Sequence, residues 1–178
     1  KDGNIKFATK RGTGDIYGRR FRGDVPGSNK DIGISIFNEE SDELYVFEAS
    51  IDCMSFMDLT DDYTSNKLIM NCIEENSLVH FLNEHPNIKK INFCMDNDIH
   101  AKEKLYGKAA ITDLSGNVIK ERVIGYMEKY KNKGYIVKDK LAPEYPHCKD
   151  YNDVLKYLKE AQPELVAALG VKRKAMAR

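Results

Sequence analysis

The chain has 178 residues, of which 42% are hydrophobic and 31% charged, with 28 basic residues balanced by 28 acidic ones. At roughly 150 residues per domain, that predicts one domain with a small appendage and a real core. The even charge disfavours a globally basic nucleic-acid clamp, the absence of any apolar run near ~18 residues excludes a membrane span, and the composition excludes a disordered chain and a collagen-like fibre.

Residues 1–41 are rich in turn signals, namely Gly12-Thr13-Gly14, Gly23-Asp24 and Pro26-Gly27-Ser28-Asn29. Strand-like runs lie between them at Asn4–Thr9, Asp15–Phe21 and Ile32–Phe37, which predicts a small β-rich module. From Asp42 the texture changes to alternating strands and helices. Leu44-Tyr45-Val46-Phe47 reads as a strand covered on both faces. Ile51–Leu59 reads as a helix on the spacing of Ile51, Met54 and Met57. Asn66–Cys72 is a second strand. A helix beginning at Ser77 carries Leu78, Val79, Phe81 and Leu82 and stops before Pro86. Ile88–Met95 is a third strand, with Ile91, Phe93 and Met95 in the core.

A mainly helical stretch is expected next, broken by a turn at Leu114–Asn117. It resumes over Glu121–Tyr130 and is closed by Gly134. Tyr135-Ile136-Val137 is a fourth strand. Asp153–Ala161 is a last helix with Asp153 as its N-cap, and Pro163 starts a short further turn through Leu165–Leu169. The expected architecture is α/β: a mostly parallel four-stranded, Rossmann-like sheet flanked by helices over residues 42–170. The β-rich extension precedes it over 1–41, and a basic tail follows over 171–178. Neither a dinucleotide fingerprint nor a P-loop is present.

The four cysteines are widely spaced, and Cys53, Cys72 and Cys94 sit among apolar neighbours as reduced core residues. No secretory signal is visible, so a cytoplasmic location is expected. The first residue is Lys1 rather than Met, so the sequence is expected to be a fragment or a processed product.

Charge is unevenly spread. Residues 1–30 hold eight Lys or Arg and three Asp, including Arg19, Arg20 and Arg22, whereas residues 41–62 hold seven acids and no base. One reading is a basic surface for phosphates beside an acidic site for a metal; the other is a set of solvated faces. Three groups of carboxylates stand at strand ends or before a helix. They are Glu48 with Asp52, Asp96 with Asp98, and Asp150 with Asp153. Ligands of open parallel sheets bind beyond the carboxyl ends of the strands. If the first and third strands are neighbours, Glu48, Asp96 and Asp98 converge there. Such carboxylates repel by about 4 kcal/mol per pair at an effective dielectric near 20, which a hard cation relieves. His80 and His85 do not share a helix face, and His100 and His147 read as surface or loop residues.

Glu48-x-x-x-Asp52, Asp96-x-Asp98 and Lys149-Asp150-Tyr151-Asn152-Asp153 together resemble the Toprim superfamily, the metal-binding domain of bacterial-type primases, topoisomerases and some nucleases. The resemblance covers about residues 42–158. The leading segment, with Arg11 and Gly23–Lys30, looks like the small module that precedes Toprim in primase-like proteins of bacterial mobile elements. The resemblance implies Glu48 as general acid or base and Asp96 and Asp98 as ligands of Mg²⁺, or of Mn²⁺ in its place. Asp52 and Asp150 are expected as further metal-site residues. Arg11, Arg19, Arg20, Arg22, Lys30 and Lys149 would contact nucleic acid, DNA in preference to RNA. The implied activity is Mg²⁺-dependent phosphodiester chemistry of the primase type. A metal-dependent nuclease, or an inactive nucleic-acid-binding module of a larger replication or mobilisation protein, are the alternatives. The chain departs from the family at Ala49, where Gly is frequent, and at His100-Ala101, where Ala-Gly is frequent.

Overall fold

The computed structural model describes residues 5–71 and 74–161, except for the side chains of residues 15, 16, 19 and 20. The chain opens with an antiparallel hairpin of β1 (Thr9–Ile16) and β2 (Arg19–Asp24). Its two-residue turn is Tyr17-Gly18, with φ of 55° and 76°. Two positive φ values match the twist of the flanking strands. The turn therefore falls inside the run expected to be one strand at Asp15–Phe21. Conversely, Gly12–Gly14, expected to turn, lies within β1, where the register shifts between Arg11 and Asp15.

The main sheet is built by β3 (Ile34–Ile36), β4 (Glu43–Phe47), β5 (Asn66–Ile69), β6 (Lys90–Phe93) and a late strand, Ile136–Asp139. Among the described residues, five helices accompany it: α1 (Ser50–Thr60), α2 (Asn76–Glu84), α3 (Ile99–Tyr106), α4 (Tyr126–Asn132) and α5 (Tyr151–Ala161). Between α3 and α4 run four short strands, β7 (Gly107–Lys108), β8 (Ile111–Thr112), β9 (Val118–Lys120) and β10 (Val123–Ile124), so Ile136–Asp139 is β11.

The strand order is β11-β6-β4-β5-β3. The first four are parallel and β3 is antiparallel to β5, so the expected four-stranded sheet has five strands and is mixed. The fifth comes from the segment assigned to the N-terminal module. Gly33 makes this join. Its φ is 69°, and a Cβ there would stand 2.8 Å from the Ile69 carbonyl oxygen, so only glycine lets β3 approach β5.

Strand residues alternate between two cores. Leu44, Val46, Leu68, Ile91 and Phe93 pack with α2, α3 and α4; Phe47, Ile69 and Cys94 pack with α1 and α5. On α1 the buried apolar residues are Cys53 and Phe56, while Met54 of the expected apolar face is exposed. Cys53 and Cys94 are buried free thiols, as expected; Cys72 lies outside the described residues. So do Leu165–Leu169 and the 171–178 tail. No helix among the described residues is long and apolar enough to cross a membrane.

The stretch expected to be helical after α3 is instead an excursion of two antiparallel ladders, β7–β10 and β8–β9. Its β-branched Ile111, Thr112, Val118 and Val123 favour extended backbone. The expected helix at Glu121–Tyr130 starts only at Tyr126, because Gly125 passes against the backbone of Gly107 where the excursion closes, and a Cβ on either glycine would collide with the other strand.

Candidate active site

Strand order reverses between β4 and β6: the chain runs from β4 to β5 on one side, then crosses to β6 on the other. Crevices at such reversals are where open α/β sheets bind ligands. Val46 stands opposite Phe93, and the ladder continues one step further, with the Cys94 N–H donating to the Val46 carbonyl at 2.8 Å. Glu48 and Asp96 therefore leave the rim side by side. The Asp96 N–H donates to Glu48 Oε1 at 3.3 Å. The two strand-end acids, 48 residues apart in sequence, are joined in space as expected.

Two further acids complete the wall. Asp52 lies in the first turn of α1 and is only 5% exposed. Its Oδ1 accepts the Asn152 N–H at 3.3 Å, which ties α1 to the start of α5. Asp150 accepts the Asp153 N–H at 2.8 Å. The cap of α5 is thus Asp150, not Asp153, which sits within the first turn. The Asn97 N–H donates to the Lys149 carbonyl at 2.6 Å and holds the two acidic loops together. Lys149 Nζ is 3.8 Å from Asp96 Oδ2.

Asp98 is placed differently. It is the N-cap of α3, its Oδ1 accepting the Ala101 N–H at 2.9 Å. It adjoins the cleft that Glu48, Asp52, Asp96 and Asp150 face without lining it. Ala49 has a φ of −132°, extended backbone that any residue adopts, so the glycine frequent at this place is not needed. Ala101 is buried in the core against α3's neighbours.

The cleft holds about 400 Å³, and its opposite wall is the β1–β2 hairpin, which presents Lys10, Arg11, Arg22 and Asp24. Lys30 does not line the cleft but pairs at 3.0 Å with Asp24, which does. The side chains of Arg19 and Arg20 lie outside the described residues. His100 is exposed and faces a separate concavity beside Glu74 and Glu103. Asn71, which the sequence pattern does not single out, and Asn152, to which it gives no role, also line the cleft. Asn71 follows the end of β5 with a φ of 58°, so its place past a parallel strand was the available signal.

The wall is under-neutralised. Glu48 is pushed up to about 7, first by burial and then by Asp96, with Asp98 and Asp52 adding to it against the Asp96 hydrogen bond. Asp52 is also pushed up to about 7, by burial, Asp150 and Asp96, opposed by the Asn152 N–H and Arg11. Asp96 is raised by burial and Asp150, opposed by Lys149. Among the described residues, no three His, Cys, Asp or Glu side chains are grouped to hold a metal ion on their own. The donor set nevertheless fits Mg²⁺, which takes hard oxygens and usually needs only one or two carboxylates besides water and phosphate.

No family model, curated protein or solved structure matches the chain.

These shifts set a pH dependence. Glu48 and Asp52 ionise near 4.5 and 3.8 when unfolded but only near 7 when folded. Their contribution to stability is full below about pH 4 and is lost as the pH rises through about 7. Asp52→Asn, which keeps an acceptor for Asn152, is therefore expected to stabilise the metal-free protein at pH 8 by about 2 kcal/mol, with little gain at pH 4. Denaturant titration at the two pH values checks it.

Proposed function

We propose that the protein is a Toprim-type enzyme of Mg²⁺-dependent nucleic-acid phosphodiester chemistry, carrying out primase-like nucleotidyl transfer within a larger replication or mobilisation protein of a mobile element. The observation that carries the reading is the meeting of Glu48 and Asp96 at the sheet's reversal point, in a cleft walled by acids on one side and arginines on the other. Asp96, with the free oxygen of Asp98, would hold Mg²⁺, and Asp52 and Asp150 would add negative charge behind them. When bound, the ion neutralises charge on the transferring phosphoryl group and favours the oxygen nucleophile.

Glu48 is oriented by the Asp96 N–H, which occupies Oε1 and leaves Oε2 to take or give a proton. A carboxyl titrating near neutral pH is suited to that task. Lys149 offers an exposed ammonium beside Asp96 for backbone phosphates. A second reading, a nucleic-acid-binding module without turnover, is favoured by the use of Asp98 as a helix cap.

Calorimetric titration with Mg²⁺ and Mn²⁺ tests the metal assignment. Asp96→Ala is expected to abolish saturable binding and Asp98→Ala to weaken it by at least about tenfold. Equal binding by the variants removes the metal from the account. Synthesis of primers from nucleoside triphosphates on single-stranded template identifies the transferase. Degradation of the strand without triphosphates identifies a nuclease, and salt-sensitive binding without turnover identifies the binding module.

A further inference from the structure

We propose that Arg11 and Arg22 form a two-guanidinium clamp that holds neighbouring phosphate groups of a nucleotide ligand across the cleft from the carboxylates. The inference rests on the phosphodiester reading of the cleft and adds the chemistry by which its hairpin wall would bind.

Arg11 and Arg22 are direct partners in the β1–β2 ladder, so their side chains leave the same face of the hairpin. Both face the cleft that Glu48, Asp52 and Asp96 line from the other side. Among the described residues, neither guanidinium is engaged in an ion pair. Each is still near enough to act on an acid opposite, Arg11 on Asp52 and Arg22 on Asp96. Two cations thus stand over an acidic wall without closing onto it. The space between, about 400 Å³, is that of a single small ligand, so it fits one or two nucleotide units.

Guanidinium groups suit this task, because a planar fork of donors meets phosphate oxygens in pairs. Two forks side by side match two adjacent phosphates better than one. The polyphosphate tail of a nucleoside triphosphate and the backbone of a single strand both present that chemistry. A purely structural role, offsetting the charge of the acidic wall, is the competing explanation.

The test is binding of ATP, AMP and a short thymidine oligonucleotide to the full chain with Mg²⁺, by calorimetry. The variants are Arg11→Gln and Arg22→Gln, with Arg11→Lys and Arg22→Lys beside them. Each glutamine variant is expected to weaken ATP or the oligonucleotide by at least about tenfold, the worth of one charge-assisted bidentate contact. Loss of AMP, which has a single phosphate, should be much smaller, and lysine should restore only part of the affinity. Loss confined to ATP identifies the triphosphate tail as the source; loss confined to the oligonucleotide identifies the strand. The clamp is overturned if the wild type binds neither ligand or the variants bind both as tightly as it does. Equal loss of AMP and ATP overturns it too, as does a change confined to the thermal stability of the ligand-free protein. If Asp96→Ala binds Mg²⁺ normally while the arginine variants still lose ATP or oligonucleotide, the clamp stands and the metal assignment falls.

Discussion

Glu48→Gln is expected to lower turnover by about 10²- to 10⁴-fold, the range for losing a positioned general acid or base. The substitution keeps the shape of the side chain and an oxygen to accept the Asp96 N–H, so the rim is preserved. It removes the group that titrates and its charge. Glu48 is not assigned to hold the metal, so Mg²⁺ affinity should stay within a few-fold of wild type, and binding of nucleic acid should be retained. Primer synthesis, or strand degradation if the protein proves a nuclease, measures the loss. Unchanged turnover would show that Glu48 moves no proton in the rate-limiting step. A parallel loss of Mg²⁺ binding would show instead that Glu48 is a ligand.

The second large effect is on stability. Lys67 of β5 is fully buried, with its ammonium donating to the Ser65 carbonyl at 2.8 Å and paired with Asp62 at 3.2 Å. It also lies 5.9 Å from the centre of the Tyr45 ring. Burial alone would raise Asp62, but hydrogen bonds from the Ser65 hydroxyl and N–H, together with Lys67, hold it below the ordinary aspartate range. Asp62→Ala leaves a buried ammonium without its counter-ion and is expected to cost about 3–5 kcal/mol. For a domain of this size that is roughly 10 °C or more in Tm. Lys67→Met keeps the volume and removes the charge, so it should be close to neutral, and it should rescue most of the loss when added to Asp62→Ala. Chemical denaturation of the three variants checks this. A small loss in Asp62→Ala, or no rescue in the double variant, would mean that the pair carries little of the stability.

The strands bearing the site were legible because both faces of each are buried, which gives the apolar run Leu44–Phe47 and the run Ile91–Met95, interrupted only by the buried Asn92. The position of Glu48 and Asp96 past those runs brings them together because β4 and β6 are neighbours. Local competition hid the rest. Gly33 reads as a strand residue until β5 is beside it. Tyr17 carries no turn signal, yet takes a positive φ next to Gly18. Asp150 and Asp98 are metal-ligand residue types and helix-capping residue types alike, and both cap helices. The excursion after α3 reads as mainly helical in sequence, but Gly107 and Gly125 pin its ends together. The burial of Lys67 had no local sign, since the Asp62 that balances it belongs to a loop outside the strand.

The most direct test of the account is a crystal of the protein soaked in Mn²⁺, with anomalous scattering used to place the ion. The expected result is a peak bonded to Asp96, with an oxygen of Asp98 in the same shell and Glu48 beside it, unbonded. A peak away from Asp96, or none at Mn²⁺ concentrations that saturate in solution, would contradict it.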